Sequence, residues 1–286
     1  MSSNPPGSES IKAILQALKV VEDGLQKPLR VLDMADAAGY SLYHFSRLFN
    51  RVVHHSPYDY LIRRRLSESA NDLQDPAQKI IDIALRYQFS SHESFSRAFK
   101  RMFGKAPSLG RDSSTDPHKL LDPVREDMLV LIHSDLLCIQ ARTLPRLKLV
   151  GLVDQSPDPD QHPSVIMRQL KQILGNKKAG GELQQYCILR MYPSDWQSHG
   201  LQVMAAAIQD DSTAHHPALT EKILPPGDWA AITAGSSSTD SLLRRFIYQI
   251  WLPGADVQLR LPFELEMYNG ALSSSTTELL IPVSTS

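Results

Sequence analysis

Cysteine is nearly absent. The 286-residue chain has two, Cys138 and Cys187, far apart and outside any CxxC spacing, which excludes a disulfide framework and a zinc finger. Long hydrophobic runs are missing too: no apolar stretch reaches the ~18 residues that a membrane span needs. Residues 1–7 lack the cationic start and apolar core of a signal peptide. A cytoplasmic protein with no membrane partner is expected. Neither charge sign is in surplus, with a formal net charge of −1. Catalytic signatures are also lacking: there is no GxSxG, HExxH, P-loop or GxGxxG. The pairs His54-His55 and His215-His216 have no carboxylate or further ligand at metal spacing. No catalytic residue, bound metal or cofactor is therefore expected, and the chain does not read as an enzyme.

The neutral total conceals two unlike halves. Residues 1–110 carry 15 Lys/Arg and 11 Asp/Glu, a net of +4, and residues 111–286 carry 15 and 20, a net of −5. The length suffices for two domains of ordinary size. A mildly basic half joined to an acidic one fits nucleic-acid binding by the first and a different task for the second.

The first half contains a repeated phrase fifty residues apart, Phe45-Ser46-Arg47-Leu48-Phe49 and Phe95-Ser96-Arg97-Ala98-Phe99. Its lead-ins are Ala35 to Ser41 and Ala84 to Ser90, each with a small residue, a turn, an aromatic and a serine. That is helix-turn-helix spacing, and its duplication implies two recognition helices on one chain. Held about 34 Å apart, such helices enter successive major grooves without dimerisation. Periodicity predicts helices over 8–24, 31–38, 42–53, 57–73, 78–87 and 92–103, with Gly39 ending the second and Ser41 capping the third. In the two recognition helices Phe45, Leu48, Phe49, Val52 and Phe95, Ala98, Phe99, Met102 form the inward faces. Tyr43, Ser46, Arg47, Asn50 and Glu93, Ser96, Arg97, Lys100 form the outward ones. Arginine suits guanine because its planar fork matches O6 and N7 together. The run Arg63-Arg64-Arg65 either clamps phosphates or stiffens the junction between the units; Lys100 and Arg101 are further phosphate candidates.

Ser108 to Pro123 is polar with two prolines and reads as a linker. Beyond it, strand patterns cover 136–153, 185–192, 201–208, 229–233, 263–268 and 279–283. Helical patterns cover 163–174 and 240–251. The expectation is a multidomain chain: an all-α double helix-turn-helix domain over 8–110, a linker over 111–124, and an α+β antiparallel-sheet domain over 125–286.

The first domain resembles the AraC/XylS family of bacterial transcription regulators. The likeness rests on Ile80-Ile81-Asp82-Ile83-Ala84 through Phe89, on Phe95 to Lys100, and on Gly104 to Pro107. Within that family it is similar to the MarA/SoxS/Rob branch through Gly39-Tyr40-Ser41, Tyr43-His44-Phe45 and Arg63 to Ser67. The resemblance implies promoter DNA and RNA polymerase as partners, a monomer on DNA, and base contacts from Tyr43, Ser46, Arg47, His92, Glu93 and Arg97. Phosphate contacts would come from Arg63, Arg64, Lys100 and Arg101. Tyr43 stands where the branch has tryptophan, and Ser46 and Glu93 where it has glutamine, so the operator is not expected to be the branch's own. Glu93 accepts from cytosine N4 but repels nearby phosphate.

The second half resembles the GyrI-like (SHS2-type) effector-binding domain through Leu144 to Gly151, Pro226 to Ala231, Phe246 to Pro253 and the final strands. That resemblance implies a small-molecule or protein effector. Glu264 would be the acidic pocket residue and Trp229, Tyr248, Trp251 and Tyr268 its aromatic lining, a set suited to a lipophilic cation. Strand alternation puts Glu264 and Glu266 on one face, leaving open whether that face meets solvent. The rival readings are a small-molecule hydrolase using the pocket glutamate, or a module docking gyrase or RNA polymerase.

Overall fold

The computed structural model describes residues 8–112, 120–133, 137–156, 164–174, 185–192, 201–209, 217–233, 240–268 and 278–285. The centre of the expected linker, 113–119, and the pair His215-His216 lie outside these residues. Two compact units emerge, Met1–Ser134 with Arg244–Gly254, and Asp135–Leu243 with Ala255–Ser286.

The first unit is helical. Its elements are α1 (Ser8–Asp23), α2 (Val31–Ala37), α3 (Leu42–Val53), α4 (Pro57–Asp72), α5 (Ile80–Arg86), α6 (His92–Phe103), α7 (Pro107–Asp112) and α8 (Glu126–Ile132). The first six fall where apolar periodicity places them. α7 and α8 do not: the stretch expected to be linker is helical over Pro107–Asp112, because Pro107 opens a helix as readily as it closes one. Packing of α6 through Phe95, Phe99 and Phe103 against Leu66, Leu73, Ile83 and Tyr87 builds the core of the second helix-turn-helix. Phe45, Phe49 and Tyr60 do the same for the first, with ring centroids 5.4 and 5.7 Å apart.

Residues Arg244–Gly254 group with this unit although they come late in sequence. They run from the last residues of α10 (Asp240–Arg245) through a π-helical turn, Phe246–Trp251, into a short helical end at Leu252–Gly254. The Gln249 carbonyl lies 3.0 Å from the buried His55 ring. The Gln249 side chain both accepts from the Asp122 N–H and donates to its carboxylate.

The described residues of the second unit build an antiparallel sheet of nine strands: β1 (Cys138–Leu144), β2 (Leu147–Ser156), β3 (Tyr186–Met191), β4 (Leu201–Gln209), β5 (Thr220–Leu224), β6 (Gly227–Thr233), β7 (Val257–Leu259), β8 (Phe263–Tyr268) and β9 (Glu278–Thr285). The order is β1-β6-β9-β8-β3-β4-β2-β5, with β7 also on β9. Pro145 splits the long strand expected over 136–153 into β1 and β2. β5 and β7, of five and three residues, are too short to show an alternating pattern and escaped the sequence reading. One sheet face carries Cys187, Leu189, Met204, Trp229, Leu265 and Met267 in a single apolar cluster. The other carries Tyr186, Ile188, Val203, Ala205 and Tyr268, packed with Met167 and Leu170 of α9 (Ser164–Leu174).

Candidate functional site

The two helix-turn-helix units are built alike. α2 ends in a tight reversal in which the Tyr40 N–H reaches the Ala35 carbonyl at 3.1 Å, with Gly39 at φ +71°. The second unit repeats this 49 positions on: the Phe89 N–H reaches the Ala84 carbonyl at 2.9 Å, with Gln88 at φ +64°. Gln88 holds that strained conformation while its side-chain amide donates to the Gln26 carbonyl. Ser41 caps α3 by accepting from His44 N–H, and Ser91 caps α6 by accepting from Ser94 N–H. The second turn therefore has one residue more, Ser90, which changes the spacing from 49 in the turns to 50 in the helices.

Arg47 and Arg97 are both exposed, and the phenylalanines beside them are fully buried. Tyr43 is 73% exposed, and Arg47 donates from Nη1 to its hydroxyl at 3.1 Å. The guanidinium also stands 5.7 Å from the Tyr43 ring centroid. Tyr43 thus holds Arg47 in one posture, a role invisible in sequence until the i,i+4 geometry is considered. At the equivalent place in α6 stands Glu93, exposed at the helix N-terminus. Its carboxyl is held below the usual range, first by hydrogen bonding to Ser91 and to its own N–H, then by the charges of His92 and Arg97. α3 thus opens on a braced cation, and α6 on a carboxylate held by Ser91 and its own N–H. Ser46 is half-buried and its hydroxyl donates to the Leu42 carbonyl at 2.8 Å, which leaves only its lone pairs outward. His92, Lys100 and Arg101 are exposed, as are Asn50 and Arg51 along α3.

The triple arginine divides three ways. Arg63 is half-buried and pairs with Asp59 at 2.6 Å. Arg65 donates to the Leu25 and Lys27 carbonyls just past the end of α1. Arg64 corrects the phosphate expectation: it is 2% exposed. Its guanidinium forks onto Glu22 at 2.9 and 2.7 Å, meets Glu68 at 2.7 Å, and reaches the Leu121 carbonyl. Its donors are committed inside the fold, so it stiffens the junction.

In the second unit Glu264 and Glu266 share a face, as alternation requires, and both are fully buried. The solvent-facing alternative is thereby removed. Arg190, itself buried, pairs with Glu266 and lies 3.8 Å from Glu264, and the Tyr268 hydroxyl donates to Glu266 at 2.8 Å. Arg190 stands across from Glu264 in the β3–β8 register. Sequence reading missed it for want of that pairing. The structure brings Tyr268 to this face and Trp229 to the opposite one, so the expected aromatic lining around Glu264 does not include Trp229. Tyr248 and Trp251 belong to the segment that groups with the first unit.

Trp229 has other neighbours. Its indole is wholly buried, 5.8 Å from the Phe263 ring, and its N–H has no acceptor among the described residues. Among the described residues Arg260 Nε and Nη2 are likewise buried without acceptors, and Nη1 donates to the Pro226 carbonyl at 3.2 Å. A buried donor left unpaired costs about 1–3 kcal/mol. Among the described residues no group of three or more His, Cys, Asp or Glu is placed to hold a metal, and no helix is long and apolar enough to cross a membrane.

A family model described as a helix-turn-helix domain matches residues 34–112. Over 108 residues the chain is 40% identical to the HTH-type transcriptional activator AarP of Providencia stuartii, covering 38% of this chain and 80% of AarP. Over 94 residues it is 45% identical to the transcriptional regulator Rob of Salmonella typhimurium, covering 33% of this chain and 32% of Rob. The match therefore spans most of AarP but about a third of Rob. A solved structure of an AraC-type transcriptional regulator from Chromobacterium violaceum is 27% identical, with a TM-score of 0.36, over 39% of this chain and 99% of that one.

Proposed function

This chain belongs to the AraC/XylS family of helix-turn-helix transcription regulators, and from that premise we propose that its first unit reads promoter DNA with α3 and α6. The observation that carries this is the matched exposure of Arg47 and Arg97. Each stands on an amphipathic helix whose opposite face is locked into a core of phenylalanines. Each arginine would address a guanine in one of two neighbouring major grooves, and Glu93 would select cytosine beside Arg97. Lys100 and Arg101 would hold the phosphates. The chain would work in the cytoplasm as a monomer on DNA, with RNA polymerase as its protein partner.

The second unit would bind an effector that alters this activity. The hydrolase reading is disfavoured because Glu264 and Glu266 are fully buried against Arg190, so neither carboxylate faces solvent water. Selection of operators from a random DNA pool tests the main reading. Arg97→Ala should then lose about 1–3 kcal/mol of specific binding with non-specific binding unchanged. Equal losses on both would make Arg97 a phosphate contact, and failure to enrich any sequence would refute the reading.

A further inference from the structure

We propose that the second unit holds a carboxylate between Arg260 and Trp229, at the end of the sheet where β6 begins, so that its effector is an anion with an apolar body. This deepens the effector reading and rests on it. It places the ligand's charged group away from Glu264 and reverses its sign.

Among the described residues of this unit three buried N–H donors lack acceptors: Trp229 Nε1, Arg260 Nε and Arg260 Nη2. Gly227 sets where the Arg260 guanidinium lies. A Cβ at Gly227 would fall on the Arg260 guanidinium, 2.6 Å from its Cζ and Nη2, so only glycine lets the cation lie against the strand. Gly227 and Trp229 are two residues apart on β6; side chains at i and i+2 share a face and stand about 7 Å apart. The guanidinium therefore covers the strand on the side to which the indole projects. Phe263 packs against Trp229 there, and Leu144, the ladder partner of Gly227, packs against the same apolar cluster.

The chemistry is one-sided. Guanidinium and indole N–H are donors only, and an ionised carboxylate is an acceptor only, with about four lone-pair sites. It could satisfy all three orphans and neutralise the charge, and Phe263, Leu144 and the indole would take an aryl or alkyl body. An amine would meet a like charge, and the Pro226 carbonyl there already accepts from Arg260 Nη1. Glu264 and Glu266 are on the opposite face from Trp229, since Leu265 and Met267 share the Trp229 cluster.

The experiment uses the full chain with ¹⁵N-labelled tryptophan, titrated with 4-phenylbutyrate, its neutral amide and 4-phenylbutylamine. Trp229→Phe identifies the Trp229 indole resonance. That resonance should move saturably downfield with the carboxylate, bind the amide at least about tenfold more weakly, and ignore the amine. Arg260→Gln should weaken the carboxylate by about tenfold or more, and Arg260→Lys should recover part of the loss. Carboxylate affinity unchanged in Arg260→Gln would overturn the proposal. Saturation by the amine in place of the carboxylate would overturn it while leaving the effector reading intact. If none of the three binds and none alters operator binding, both fall.

Discussion

Replacing Arg64 by methionine keeps the aliphatic stem and deletes the fork. The side chain is buried, and its guanidinium serves Glu22 twice, Glu68 once and the Leu121 carbonyl once. Removing one partner of a buried ion pair costs about 3–5 kcal/mol. Here the carboxylates are not sealed: Glu22 is 26% exposed and Glu68 38%, so both recover some hydration. The expected loss is therefore smaller, about 2–4 kcal/mol. With a urea slope of about 2 kcal/mol per molar, the unfolding midpoint of the helical unit should fall by about 1–2 M, with little change in slope. Operator binding supplies the opposing measurement. A phosphate ligand contributes about 0.9 to the slope of log K against log salt; Arg64→Met should keep the parent slope, whereas Lys100→Gln or Arg101→Gln should each lower it by about that amount. A shallower salt slope in Arg64→Met with an unmoved midpoint would refute the assignment.

Tyr43→Phe removes the hydroxyl that accepts from Arg47 and keeps the ring. It should cost about 0.5–1 kcal/mol of specific binding and show a coupling of that size with Arg47→Ala in a double-mutant cycle; strict additivity would end the bracing role. Gly39 sits at φ +71° with nothing within 4 Å of a Cβ, so Gly39→Ala should destabilise by about 1–2 kcal/mol through backbone strain alone. An unchanged melting temperature would contradict this. Burial holds the His133 imidazole below the ordinary histidine value, against the raising effect of its bond to the Val52 carbonyl and with a further lowering by Arg51. As pH falls the unfolded chain takes that proton first. The stabilisation is complete above about pH 6.5 and is lost below it as the folded imidazole titrates. Melting scans from pH 7.5 to about 5 should show this, with a flatter profile in His133→Gln. A profile no flatter than the parent's would remove His133 from the account.

The repeated phrase, the inward phenylalanines and the caps were legible because each depends on neighbours within four residues. A 3.6-residue period and a serine before a helix act locally, so α1 to α6 and the outward arginines could be read from the amino acids themselves. Alternation likewise placed Glu264 and Glu266 on one strand face. What local pattern could not decide was which face the fold would cover. Arg63, Arg64 and Arg65 are successive residues on one helix and point in three directions, and only the arrival of Glu22 and Leu121, 42 and 57 positions away, made Arg64 internal. The burial of Glu264 and Glu266 depended on Arg190, and the place of the Arg260 guanidinium depended on Gly227 leaving room on β6. Periodicity sets how side chains are disposed around their own element, whereas exposure and partnership are set by segments that meet only when the chain has folded.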